Sequence, residues 1–123
     1  MLACAGLIAC GAEEPSGSVA SWGDIPVYPG SKQIEKGNWE LPAVEAEYST
    51  TDWRYYEIED SMDMVVDFYK SQMFGKGWTK RGWVESEEAS WCSYSKNNAM
   101  DGVLVWICPE GDKTILALMR GSV

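Results

Sequence analysis

The fold is decided by residues 60–78, which read DSMDMVVDFYKSQMFGKGW. Apolar side chains recur in this stretch at the spacing of one helical face: Met62, Val65, Val66, Tyr69 and Met73. Met64 and Phe68 widen that face, and the D-x-x-D start at Asp60 resembles a capping box. Glycine can adopt the left-handed backbone that ends a helix, and glycines stand at positions 75 and 77. The pattern predicts a helix over residues 61–74 that lies against a sheet.

Four short apolar segments follow the helix, separated by turn-like residues. They cover residues 78–85, 90–96, 103–109 and 114–120, with the turn before the third placed at 97–102. Short strands with short connections are typical of an antiparallel meander.

Upstream of the helix the strand signals are weaker. Val44, Ala46 and Tyr48 alternate with glutamates, and residues 53–58 are rich in aromatics, which predicts a hairpin with its turn at 49–52. Residues 24–30 hold two prolines and suit an extended edge or a wrap across the core, and residues 31–42 are loop-like. The predicted fold class is α+β: one helix packed on a twisted antiparallel sheet of about five to six strands, in two layers.

Length and charge narrow the function. The chain has 123 residues, a net charge of -9 and no histidine. This size indicates one small domain, and the negative charge argues against a nucleic-acid partner, because phosphate binding needs a cationic face. No apolar run reaches the roughly 18 to 20 residues that a membrane-spanning helix needs.

The N-terminal residues resemble a bacterial lipoprotein signal peptide. Residues 1–9 carry no charged side chain, and Leu7, Ile8, Ala9 and Cys10 resemble the lipobox of bacterial lipoproteins. That resemblance implies cleavage before Cys10 and attachment of diacylglycerol to its sulfur. The predicted organisation is a signal peptide over 1–9, a lipidated N-terminus and flexible tether over 10–23, and one domain over 24–123. The implied location is the extracytoplasmic face of a bacterial cell membrane or outer membrane, held by acyl chains.

One feature departs from this pattern. No Lys or Arg precedes the apolar stretch, so either the amine of Met1 supplies the positive charge or the true start codon lies upstream. Two alternatives stay open: a nonlipidated signal cut after Ala12, and a buried first element of a cytosolic protein.

Cys4 and Cys10 belong to the predicted signal peptide and the lipidation site, so Cys92 and Cys108 are the two thiols of the predicted domain. An even pair of cysteines in an exported domain suggests a disulfide. A hairpin register that opposes them also opposes Tyr94 and Trp106. The alternatives are buried free thiols, a redox site and a metal site. The metal site is disfavoured because histidine and close C-x-x-C pairs are missing from the sequence.

The domain also resembles a known group. VYPG at residues 27–30, followed by the acidic-Ser helix start, the V-x-x-F-Y core and the Gly-Trp end of residues 60–78, is similar to small bacterial lipoprotein domains of unknown function. The resemblance implies export or lipid anchoring and brings no catalytic residue.

Basic side chains concentrate near the predicted helix end, where tryptophans interleave with them. The candidate anion or ligand patch comprises Lys76, Lys80, Arg81, Trp78 and Trp83, and Lys70 lies beside it in sequence. The patch could seek anionic headgroups or an acidic protein of the envelope, or it could be a solvated strand edge that complements the helix dipole. Trp22 and Trp39, in predicted loops, are candidates for stacking on a glycan.

Catalysis is not indicated. The sequence contains no P-loop, G-x-S-x-G, dinucleotide or EF-hand spacing, and it implies no cofactor and no metal. A hydrolase using only carboxylates would need a pair such as Asp60 with Asp63 or Glu57 with Glu59, but helix-start and outward strand positions explain these better. We expect a lipid-anchored binding or envelope-structural module. The alternatives are a secreted, unanchored binding or inhibitor domain and a carboxylate-only hydrolase.

Overall fold

A computed structural model describes residues 22–44 and 47–123. Its elements are β1 (Lys32–Ile34), β2 (Thr50–Ile58), α1 (Met62–Gly75), β3 (Thr79–Glu85), β4 (Ser90–Lys96), β5 (Asp101–Glu110) and β6 (Lys113–Ser122). The strands form one antiparallel sheet in the order β1-β2-β6-β5-β4-β3. The predicted α+β class, with one helix on a six-stranded antiparallel sheet, is confirmed.

The helix runs across the strands of the sheet, from β2 to the edge strand β3. It follows β2 and leads into β3, which lies four strand positions away at the edge. Its 14 residues give a length of about 21 Å, close to four interstrand spacings of about 4.8 Å. The helix therefore begins near β2 and ends over β3, which places its C-terminal turns at the sheet edge.

The predicted helix is confirmed to within one residue at each end. Its N-cap is Ser61, whose Oγ accepts from the backbone N–H of Met64 at 3.4 Å, whereas Asp60 accepts from the hydroxyl of Tyr28 at 2.6 Å. The predicted apolar face is buried at Val65, Val66, Tyr69 and Met73. Met64 does not widen it, because that side chain is 53% exposed.

Strands β5 and β6 are buried on both faces. Val103, Val105, Ile107, Leu116 and Leu118 share the cluster under the helix, which we call the helix-side face. Their neighbours along each strand form a second cluster on the opposite face: Leu104, Trp106, Cys108, Ile115, Ala117 and Met119. The near-continuous apolar runs of both strands reflect this double burial, because a strand with one wet face alternates in polarity.

The opposite face is covered by the chain between β1 and β2. Ile34, Trp39, Leu41, Val44 and Tyr48 pack against its cluster. The predicted hairpin of residues 44–58 is therefore wrong in its first strand: Val44 and Tyr48 belong to this cover, and Ala46 lies outside the described residues. β2 pairs with β6 on one side and on the other with β1, which lies inside the stretch predicted as loop.

Trp22 and Trp39 are not exposed platforms, as had been expected for glycan stacking. Trp22 packs against the helix-side core, and its indole N–H donates to Asp52 at 3.3 Å. Trp39 packs on the opposite face and donates to Glu110 at 2.8 Å. Since Trp22 was assigned to the flexible tether, the packed domain begins earlier than residue 24.

The ring of Tyr48, in the segment that covers the opposite face, packs into a slot, which is the space left by the missing side chains of two glycines. Gly102 and Gly121 oppose each other across β5 and β6, and the ring of Tyr48 lies over both. A Cβ built on Gly121 would stand 2.5 Å from Cγ of Tyr48, and one on Gly102 would collide with the Tyr48 hydroxyl. Any larger residue in the slot must displace the ring.

We predict that Gly121→Ala lowers the free energy of unfolding by about 1 to 3 kcal/mol through overpacking, measured by urea denaturation. Gly75→Ala is the matched control, because a Cβ there meets no atom within 4 Å, and it should be neutral or slightly stabilising. Equal stability of the two variants would contradict the slot.

The predicted disulfide between Cys92 and Cys108 is wrong in this structure, where both are free and buried. Cys92 opposes Val105, three residues before Cys108 along β5. Because side chains alternate, this odd shift puts Cys92 on the helix-side face and Cys108 on the opposite one. A disulfide needs Cβ atoms roughly 3.5 to 4.5 Å apart, which opposite faces of a sheet do not allow.

The shift arises in the turn. Asn97, Asn98 and Ala99 have positive φ, and Met100 donates its N–H to the carbonyl of Asn97 at 3.1 Å. The turn closes by Met100, so β5 begins at Asp101, and Gly102 belongs to the strand under Tyr48 rather than to the turn.

In the native protein, both thiols should resist alkylation because both are buried. For Cys108, burial also raises the pKa to about 11, and the thiolate is the reactive form. In urea without reductant, peptide mapping by mass spectrometry should find both alkylated. Alkylation of Cys92 and Cys108 only after reductant is added would show that the two form a disulfide and would contradict the free thiols.

Candidate ligand-binding cleft

A cleft of about 570 Å³ opens where the C-terminal part of α1 overhangs the β3 edge. Aromatic rings form much of its wall, and charged groups surround them. The lining residues are Lys70, Phe74, Trp78, Thr79, Lys80, Trp83, Glu85 and Tyr94. This volume lies within the range of pockets that bind small molecules.

A β-bulge in β3 aims two side chains into this cleft. Lys80 opposes Tyr94 and Trp83 opposes Cys92, with a register shift between the two pairs. Residues three apart on a regular strand face opposite sides, so the extra residue is what lets both Lys80 and Trp83 face the helix side. Gly82 lies in the bulge at φ +125°, a conformation that L side chains rarely adopt.

Three of the five predicted patch residues come together here: Trp78, Lys80 and Trp83 line the cleft. Arg81 does not, because its guanidinium pairs with Glu47 at 3.2 Å. Lys76 is exposed at the helix C-cap and is not part of the lining.

Five lining residues were not in the predicted patch: Lys70, Phe74, Thr79, Glu85 and Tyr94. Lys70 and Phe74 lie four residues apart near the helix end, so helical spacing alone predicts that they share a face of the helix beside the patch.

The two cationic side chains of the cleft differ in their surroundings. Lys70 pairs with Glu85 at 3.1 Å, and its Nζ lies 5.8 Å from the centroid of the Trp83 ring. Lys80 has no carboxylate within 4.0 Å among the residues described. The cleft therefore holds one neutralised cation and one uncompensated positive charge.

Two buried polar atoms in the wall lack hydrogen bonds. They are Nε1 of Trp83 and the hydroxyl of Tyr94, whose rings meet edge to face with centroids 6.4 Å apart. Burial raises the pKa of Tyr94 well above its ordinary value, and Cys92 adds to the shift, so the phenol keeps its proton. Both groups can donate, and an unsatisfied buried donor costs about 1 to 3 kcal/mol.

Trp78 connects the cleft to the segment of residues 22–28, which we call the strap. Its indole N–H donates to the carbonyl of Asp24 at 2.9 Å, and Nζ of Lys96 lies 4.3 Å from its ring centroid. The hydroxyl of Tyr69 donates to the carbonyl of Pro26 at 2.8 Å. These bonds hold the strap across the helix-side core as a wrap.

The carboxylate of Asp24 ties the strap to the sheet. It accepts from Arg120 at 2.6 Å and from Lys96 at 3.0 Å, and Arg120 is buried. Burial of Asp24 opposes its ionisation, but the hydrogen bonds and positive charges of Lys96 and Arg120 outweigh it and lower the pKa.

The carboxylates considered for hydrolysis lie elsewhere. Asp60 accepts from Tyr28, Glu59 pairs with Lys113 at 3.2 Å, and Asp63 stands in the first helical turn. None of these residues, nor Glu57, lines the cleft.

Residues 22–44 and 47–123 contain no cluster of three or more His, Cys, Asp or Glu side chains placed to hold a metal ion. None of their helices combines the length and apolarity needed to cross a bilayer.

Comparison with protein-family models, with curated proteins and with solved structures found no match. The similarity of residues 27–30 and 60–78 to exported lipoprotein domains therefore stays a prediction.

We predict that Asp24→Asn lowers the free energy of unfolding at neutral pH by about 1 to 3 kcal/mol, because it leaves buried Arg120 undercompensated while Asp24 itself is partly exposed. Glu59→Gln, at an exposed ion pair, should cost under about 1 kcal/mol.

The same group should give acid sensitivity. Because the pKa of Asp24 is lower in the folded state than its ordinary value of 3.8, its ionised carboxylate stabilises the fold fully above pH 3.8. That stabilisation is lost as the pH falls below 3.8 and through the lowered pKa of the folded state. Urea titrations across this window should show a smaller loss for Asp24→Asn than for the parent. Parallel pH profiles would contradict the role of Asp24.

Proposed function

We propose that this protein is a lipid-anchored, extracytoplasmic binding module that holds a small ligand in the cleft between α1 and the β3 edge. The observation that supports ligand binding is the cleft itself, whose lining combines four aromatic rings with three charged side chains. Pockets of this composition bury the apolar part of a ligand and use a few polar groups for orientation.

Phe74 supports this role through its exposure. It is 82% exposed although it stands in the last turn of the helix at the cleft. A phenyl ring in water contributes little to folding, but a ligand covering it would remove much of its apolar surface from solvent.

The anchoring half rests on the sequence. Cys10, at the end of the lipobox Leu7-Ile8-Ala9-Cys10, is the proposed lipidation site, and it lies outside the described residues. Two or more acyl chains hold a protein stably at a membrane. Because Trp22 packs on the domain, residues 11–21 would form the tether to the anchor.

Detergent partition of the protein expressed in bacteria tests the anchor. The wild type should enter the detergent-rich phase and Cys10→Ser the aqueous phase, because the thioether-linked lipid is lost. A wild type that already stays in the aqueous phase would favour the secreted, unanchored alternative.

Fluorescence titration with the neutral probe phenylnaphthylamine tests the cleft, using the full chain with Cys10→Ser so that no detergent is present. Phe74→Ser should weaken binding about threefold to tenfold through lost apolar contact. Met64→Ser is the matched control on the same helix, being exposed and outside the cleft, and should bind as the parent does.

Equal effects of the two substitutions would contradict a ligand site in the cleft. Near-ultraviolet circular dichroism of each variant confirms that the fold is retained, since both positions are exposed.

A further inference from the structure

We propose that the ligand of this cleft is an amphipathic anion, with an apolar body and one negatively charged group, and that Lys80 determines this specificity. The inference rests on the proposed binding function and adds the chemical class of the ligand.

The polar groups of the cleft are mostly hydrogen-bond donors. Lys80 presents an ammonium with no carboxylate within 4.0 Å in the described part of the chain. The indole N–H of Trp83 and the phenol of Tyr94 are buried donors that make no well-formed hydrogen bond there. The carboxylate in the lining, that of Glu85, is engaged by Lys70. A donor-rich site with one free positive charge is complementary to an acceptor-only anionic group, and charge-assisted hydrogen bonds are the stronger kind.

The β-bulge in β3 places the ammonium of Lys80 beside Trp83. In a regular strand Lys80 would face away from Trp83, and the bulge brings them to one face. Arg81 follows Lys80 directly and pairs with Glu47 outside the cleft. Among Lys76, Lys80 and Arg81, Lys80 is therefore the one that lines the cleft.

The aromatic part of the lining defines the other end of the ligand. Trp78 and Tyr94 are almost fully buried, Trp83 is half-buried and Phe74 is exposed, so apolar surface continues from the wall to the mouth.

A neutral glycan is a poorer fit. Sugar hydroxyls both donate and accept, so a glycan site needs free acceptors as well as donors. Within the lining, Glu85 is already bonded to Lys70, and Thr79 offers one hydroxyl.

The test compares two probes that share their aromatic groups and differ in charge: anionic anilinonaphthalene sulfonate and neutral phenylnaphthylamine. Each is titrated into the full chain carrying Cys10→Ser, with and without Lys80→Gln. Lys76→Gln is the matched control, because it removes the same charge from the same region but not from the cleft.

Lys80→Gln should weaken the anionic probe about fivefold to tenfold and leave the neutral probe unchanged, the size expected for one partly screened charge contact. Lys80→Arg should retain most of the affinity. Raising the ionic strength should weaken the anionic probe in the parent and have little effect in Lys80→Gln.

Three outcomes would overturn the inference. Equal effects of Lys80→Gln and Lys76→Gln would remove the special role of Lys80. Equal weakening of both probes would show that Lys80 acts on the shape of the cleft and not on charge. Binding of the neutral probe alone would leave the proposed function standing without the anion, whereas binding of neither probe would remove both.

Discussion

The structure depends on the double burial of β5 and β6. Every side chain from Val103 to Cys108 and from Thr114 to Arg120 is withdrawn from solvent, so each face of the sheet needs its own cover. The helix covers one face and the chain between β1 and β2 covers the other. Because the helix must reach from β2 to the β3 edge, its last turns project where the sheet ends, and the cleft is the space left beneath them.

The strap joins the proposed anchor to the proposed binding site. Asp24 holds Arg120 and Lys96 by its side chain and Trp78 by its carbonyl, and Trp78 is also a wall of the cleft. The first described residues of the chain are thus bonded to the same indole that lines the cleft. A membrane-held chain would in this way support the cleft from its N-terminal side, with its ligand face built from α1 and β3.

Periodic patterns were enough to predict the helix and the four later strands, because burial on one helical face or along a strand leaves a repeat in the sequence. They failed where a segment's structure is determined by contacts with residues distant in the sequence. β1 is three residues long with two exposed, and Tyr48 leaves the sheet because Gly102 and Gly121 provide its slot. Three patch residues were correctly grouped from sequence, but the bulge that brings Lys80 and Trp83 to one face is a property of strand pairing.

The register of β4, β5 and β6 is the most direct point at which to test this account, since it assigns every side chain to a face. Cross-strand nuclear Overhauser contacts in the full chain should join Cys92 to Val105 and Cys108 to Ile115, and the Tyr48 ring to Gly102 and Gly121. Contacts that oppose Cys92 to Cys108 would contradict it, because the two covers and the cleft could not then lie where they are described.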